Sequence, residues 1–243
     1  MTDLRELLGI ELPIIQAPMA GVQGRALAVA VSEAGGLGSL PCAMLSPAAM
    51  AAELAAITRE TRAPINVNFF CHTPPAPNPQ REAAWREALA PYYREFGIDA
   101  DSPAPGPART PFDAVVADTL EGVTPAVVSF HFGLPAAELL ERVKTWGAKV
   151  FATATTVEEA LWLEARGADA VIAQGFEAGG HRGMFLTRDL TTQTGTLALV
   201  PRVVHSRSSG STVWTSRRGS SIVPSCPAAH SPPCCAGMPC WPG

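Results

Sequence analysis

Short apolar runs recur along most of the chain, and after nearly every one apolar residues return at every third or fourth place. The runs predict strands over Pro13–Met19, Leu37–Pro41, Ile65–Phe70, Val127–Phe132, Lys149–Ala154 and Ala168–Ala173. Helical periodicity fills Gly24–Ala34, stopped by Gly35 and Gly36, then Ala137–Trp146 and about Thr156–Arg166. Another helix starts after Ser46, whose hydroxyl suits an N-cap, with Pro47 at the first helical position. Strand, helix, strand at this spacing predicts βαβ units and a parallel sheet, closed as a barrel or open and doubly wound.

Two stretches break the rhythm. Between about 71 and 115, Pro-rich segments (Pro74–Pro77 and Pro103–Pro107) flank a helical pattern over Gln80–Phe96. That is too long for an ordinary connection and reads either as a lid over the C-terminal edge of the sheet or as a surface helix between two loops. After Val204 the periodicity stops. Residues 205–243 are rich in Ser, Pro and Cys and hold no acidic residue, which is unusual even for a disordered tail.

Composition narrows the class. A chain of 243 residues, 47% apolar and 16% charged, can bury a sizeable core. A net charge of −4 speaks against nucleic acid and anionic membranes as partners. Met1–Glu6 is charged and leads into no apolar h-region, and no apolar run reaches membrane-spanning length, so a cytoplasmic protein is expected. Cys42 and Cys71 stand alone, and Cys226, Cys234, Cys235 and Cys240 lack zinc-ligand spacing, so no metal is expected.

The candidate chemistry collects at strand ends. Ala170–Ala173 feeds a loop over 174–183 that holds Gly175, Gly179, Gly180, Gly183, Glu177, His181 and Arg182. Glycine lets a ligand approach the backbone N–H groups, and Arg and His add donors, a composition suited to an anion. His131 ends a strand, where an imidazole can move a proton near neutrality or simply bond to backbone. Asn68 and Gln174 end strands too, as amides that can match an alternating donor–acceptor edge or cap the strand. Gly35, Gly36 and Gly38 need no ligand, since helix termination and close strand approach explain them.

Five motifs in order then resemble the nitronate monooxygenase family, formerly called 2-nitropropane dioxygenases. They are Pro13–Gly21, Glu33–Gly38, Asn66–Phe70, Ser129–Gly133 and Gln174–Gly183, with similarity through Gly195–Pro201 that ends near Val204. The resemblance implies a TIM-type (β/α)8 barrel binding FMN at the C-terminal ends of its strands. It also implies oxidation of small-molecule nitronates or nitroalkanes with O2 to a carbonyl compound and nitrite. In that family His131 matches the proposed catalytic base, and Asn68, Gln174, Ala17, Pro18 and Met19 match FMN contacts. Gly179 and Gly180 match backbone contacts to the phosphate or ribityl chain, and His181 a substrate-side position. Arg182 is expected to stabilise the loop and Glu177 to brace it.

The family's seventh and eighth strands have no counterpart, so about six of eight strands are expected. Residues 1–204 would form a partial barrel with an inserted segment at about 71–115, and 205–243 an unrelated, disordered tail. Codons for Ser206–Gly210, read one base later, can spell Arg-Val-Pro-Val, the type of sequence that opens the missing strand. A frameshift near residue 205 follows as an expectation, with poor stability, weak FMN binding and little activity. Two alternatives share the residues: an FMN-dependent enoyl-acyl-carrier or quinone reductase using NAD(P)H, and a non-catalytic remnant.

Overall fold

Residues 3–99, 109–206 and 212–216 are described by a computed structural model. Six strands, β1 (Gly38–Pro41), β2 (Ile65–Phe70), β3 (Val127–His131), β4 (Lys149–Ala154), β5 (Ala170–Gln174) and β6 (Thr212–Ser216), pair in sequence order. Every pairing is parallel. The helices are α1 (Leu4–Leu8), α2 (Arg25–Glu33), α3 (Pro47–Glu60), α4 (Pro79–Glu95), α5 (Ala114–Leu120), α6 (Ala137–Thr145), α7 (Val157–Ala165) and α8 (Thr196–Ser206). In a doubly wound sheet the strand order reverses at a switch point, and here it does not. The fold is an incomplete TIM-type (β/α)8 barrel.

Strand parity divides the interior in two. Leu40, Val67, Phe69, Val128, Phe130, Val150, Ala152, Val171 and Ala173 face the helices and build the larger core with Met50, Leu54, Leu120, Leu163 and Leu199. The alternate positions Leu37, Val127, Phe151 and Ala170 join Leu4, Leu8 and Ile10 in a smaller cluster. That cluster stoppers the N-terminal end of the barrel with α1. Above it, the same inward parity continues with polar residues, Ser39, Asn66, Asn68, Ser129, Thr153 and Gln174, all buried.

Local sequence explains the helices. Ser46 Oγ accepts from Ala49 N at 3.2 Å, Pro47 opens α3, and Met50, Leu54 and Ile57 bury one face at helical spacing. Gly38 is dictated by contact, because a Cβ there would lie 1.9 Å from the Ala28 carbonyl oxygen of α2. At Thr156 the hydroxyl accepts from Glu159 N at 3.2 Å to start α7.

Four expectations change. The strand over Pro13–Met19 contracts to a single parallel bridge, Ile15 to Leu37. Pro13 and Pro18 have no N–H to offer a ladder, and Leu12, Ile14 and Met19 remain exposed. The strand expected at Ala168 starts at Ala170 and includes Gln174, while that from Val127 ends at His131 because Phe132 turns to φ 69°. Beyond Val204 the chain is not without structure: α8 runs to Ser206, and β6 adds to β5 with Ala170 opposite Thr212. Thr-Val-Trp-Thr is rich in residues that favour strands, a local signal too short to show as periodicity among its Ser-rich surroundings.

The excursion between β2 and β3 leaves and returns at one place, since Phe112 N donates to Phe70 O at 2.8 Å. Its helix α4, capped by Asn78, has no buried residue, and Trp85 and Phe96 are 66% and 68% exposed. The Pro103–Pro107 stretch and the four C-terminal cysteines lie outside the described residues. Among the described residues, no helix is long and apolar enough to cross a membrane.

Candidate active site

Inward parity delivers side chains from four neighbouring strands to the C-terminal mouth of the barrel. From β2, Asn68 Nδ2 donates to Ser129 Oγ of β3 at 3.0 Å and to its carbonyl at 3.3 Å. No described residue partners Asn68 Oδ1. From β3, His131 Nε2 lies 3.0 Å from His181 O and Nδ1 lies 3.0 Å from Thr153 Oγ1 of β4. A carbonyl oxygen only accepts, so Nε2 carries the proton and Nδ1 accepts from the Thr153 hydroxyl. From β5, Gln174 Nε2 donates to the same His181 carbonyl at 2.9 Å, while its Oε1 accepts from Gly183 N at 2.7 Å. One loop carbonyl therefore gathers His131 and Gln174.

Gly183 is held at close quarters. A Cβ added there would stand 2.7 Å from His131 Cε1 and 2.8 Å from Thr153 Cγ2. Only glycine brings the loop this near to the imidazole. Burial pushes the His131 imidazole down to about 4, opposed by the bond to the His181 carbonyl, with the His181 ring adding to the fall. The ring is neutral at physiological pH.

Aromatic rings line one side of the mouth. Phe132, in the left-handed region at φ 69°, sets its ring 4.4 Å from that of His131 and 5.2 Å from Phe70. The His181 ring completes the group 5.4 Å from Phe70, and His72 stands 6.2 Å from it. A non-glycine residue at such a φ costs on the order of 1–3 kcal/mol, which marks a packing arrangement imposed by its surroundings. The wall suits a small substrate with an apolar tail.

The glycine loop is braced from outside the barrel. Glu177 Oε1 accepts from Thr196 N at 2.9 Å at the start of α8, and Arg182 Nη2 donates to Phe176 O at 2.9 Å. Both match the structural parts expected of them. Gly179 and Gly180 stay exposed, with no atom within 4 Å of a Cβ position at either, so their backbone is approachable. Ala17, Pro18 and Met19 follow the lone bridge, and no hydrogen bond ties them to His131 or Gln174. Their neighbour Gln23 donates to Ala17 O at 3.3 Å and to Ser39 O at 3.2 Å. Around Ser39, Gln16 Nε2, Gln23 Oε1 and Asn66 Oδ1 are buried without a partner among the described residues.

The sequence singled out neither the polar partners Ser129 and Thr153 nor the aromatic wall of Phe70, Phe132 and His72. Thr153 was recoverable from alternation along β4. Neither described cysteine has thiolate character. Burial pushes the Cys42 thiol up to about 12, and it raises Cys71 as well. Among the described residues, no cluster of His, Cys, Asp and Glu could hold a metal ion.

A parallel barrel with polar side chains and a glycine loop at its C-terminal mouth defines a class of small-molecule enzyme scaffolds. The family model described as nitronate monooxygenase matches residues 1–211, and the chain belongs to that family. It is 46% identical over 212 residues to a nitronate monooxygenase of Pseudomonas aeruginosa, covering 82% of this chain and 58% of that protein. It is 47% identical over 205 residues to one of Paraburkholderia phytofirmans, covering 81% and 54%. Among solved structures, nitroalkane oxidase from Streptomyces ansochromogenes superposes with a TM-score of 0.74 at 36% identity, over 85% of this chain and 58% of that one. FabK from Thermotoga maritima gives 0.61 at 27% identity, over 87% and 52%. The chain spans little more than half the length of these relatives.

Proposed function

We propose that this chain carries the nitronate-handling wall of an FMN-dependent nitronate oxidation site, converting an alkyl nitronate and O2 to a carbonyl compound and nitrite. The observation that carries the reading is the convergence of Asn68, His131, Thr153 and Gln174 under the glycine loop, in a chain of this family. The residues fit a flavin. Among the described residues nothing donates to Asn68 Oδ1, Gly179 and Gly180 leave their backbone approachable, and Met19 is 46% exposed. Ala17, Pro18 and Met19 would lie along the ring, Asn68 and Gln174 would meet its polar edge, and Gly179 and Gly180 would receive the ribityl phosphate. Bound FMN would supply the two-electron acceptor that no side chain here provides.

The chain's own residues bind and orient. Phe70, Phe132 and His181 offer the apolar wall for the alkyl group. The Nε2–H of His131 is committed to the His181 carbonyl, so only Nδ1 has a lone pair to take a proton, and the Thr153 hydroxyl covers it. With its pKa near 4, that imidazole is a weak base for the α-proton of a neutral nitroalkane. The substrate favoured by this geometry is therefore the preformed nitronate, and base catalysis by His131 requires Thr153 to turn away first.

Anaerobic addition of ethyl nitronate to FMN-loaded protein tests the reading. Bleaching of the flavin by nitronate, faster than by nitroethane and absent with NAD(P)H, is expected. Bleaching by NAD(P)H alone would assign the site to the enoyl-acyl-carrier or quinone reductase reading. Protein that takes up no flavin would be the non-catalytic remnant.

A further inference from the structure

The most completely enclosed acid among the described residues is Glu159, at 0% exposure. It sits in the first turn of α7, on the helix side of the sheet, away from the polar lumen. A lone buried carboxylate is costly unless hydrogen bonds replace its water. Here they do. Oε2 accepts from Thr155 N and Thr155 Oγ1, each at 2.7 Å. Oε1 accepts from Phe185 N at 2.6 Å and Leu186 N at 3.2 Å. The carboxylate thus joins the end of β4 to the segment that follows the glycine loop.

That segment leads directly to the site. Phe185 rests its ring 3.3 Å from the Cβ position of Gly133 and 5.1 Å, centroid to centroid, from Trp162 of α7. Two residues before Phe185 comes Gly183, wedged against His131 and Thr153 and bonded to Gln174. Thr155 lies two residues beyond Thr153, the hydroxyl partner of His131. Glu159 therefore holds both arms that reach the imidazole: the Thr153 arm through Thr155 and the Gly183 arm through Phe185 and Leu186.

We infer that Glu159 is a positioning residue for the site, its buried carboxylate fixing the 183–186 segment and the end of β4 so that His131 and Gln174 share the His181 carbonyl. The inference rests on the proposed function for its link to turnover, but the arrangement of His131 can be read without turnover. Glutamine in place of Glu159 keeps the shape and turns one acceptor into an N–H donor, which must face either the Thr155 donors or those of Phe185 and Leu186.

The test is Glu159→Gln with two readouts: NMR titration of the His131 ring and binding of added FMN followed by flavin fluorescence. Release of the loop lets water reach the ring. Since burial is the largest cause of its depressed pKa, His131 in the variant should titrate upward, towards the ordinary 6.5. FMN should bind about tenfold more weakly, the effect of leaving one buried donor unmatched. Glu158→Gln, at the exposed neighbour, should change neither. If Glu159→Gln does not fold, Thr155→Val removes one of the four donors and should move both readouts the same way by less.

A folded Glu159→Gln protein with unchanged His131 titration and FMN binding would reduce Glu159 to a brace of the core and overturn the inference. If His131 shifts while the wild-type protein oxidises no nitronate, the positioning role stands and the functional reading fails.

Discussion

Two loops at the mouth of the barrel were marked as cofactor contacts, and they are built differently. The loop after β5 is tied down at each end: by Gln174 and Glu177 on one side, and by Glu159 through Phe185 and Leu186 on the other. The Ala17–Met19 segment is moored just before its start, where Gln16 bonds to Leu37 and Ser39, and beyond that point Gln23 on Ala17 O and a turn bond from Val22 N to Met19 O hold its backbone, with Ala17 and Met19 exposed. Positioning in the first loop is inherent in the fold. The loop that seats Gly183 against His131 is anchored by the Glu159 and Glu177 carboxylates and the Gln174 amide, whereas the Ala17–Met19 surface depends on the amides of Gln16 and Gln23.

Substitutions can break this contrast. The largest effect is expected from Gly183→Ala, whose methyl has no room beside His131 and Thr153. Overpacking of that kind should cost about 3 kcal/mol in urea denaturation and abolish FMN binding. Gln174→Leu leaves the Gly183 N–H buried without an acceptor and should cost about 2 kcal/mol by the same measurement.

Acid reaches the first loop through His131. Its folded pKa lies below the unfolded value, so the unfolded chain takes up the proton first. The contribution of the neutral ring is complete above pH 6.5 and is lost as the pH falls towards 4. The unfolding free energy from urea denaturation should fall by at most about 1.4 kcal/mol per pH unit across that window, and His131→Gln should flatten the slope. The smallest effect belongs to the second loop. Met19→Ala should change folding stability by less than about 0.5 kcal/mol while weakening added FMN, and a large loss of stability would show that the segment is anchored after all.

Much of the framework was legible in the chain, for physical reasons that differ by element. Ser46-Pro47 specifies the start of α3 locally, so that boundary needed no tertiary information. The strands from Ile65 to Gln174 are buried on both faces and read as apolar runs, but the runs do not say which face is lumen. That parity emerges only when α1 and the outer helices claim alternate residues, which is why Thr153 passed unremarked beside His131. Pro13–Met19 shows the opposite failure. Its composition resembles a strand, yet a strand needs N–H groups in register, and two prolines withhold them. For the site, His131, Asn68 and Gln174 stood out by type and position, whereas Glu159 acts from a helix on the far side of the sheet.

The stopper at the base of the barrel also sets an order of events. Leu4, Leu8 and Ile10 are made first, but the surface they seal includes Phe151 of β4 and Ala170 of β5, which emerge from the ribosome long afterwards. Contacts separated so far along a chain form slowly, because the intervening loop must close before they are rewarded. The amino-terminal segment therefore waits, apolar and uncovered, until most of the sheet exists. Docking of that short helix is expected to follow the pairing of the strands it caps, so it seals the barrel floor rather than founding it.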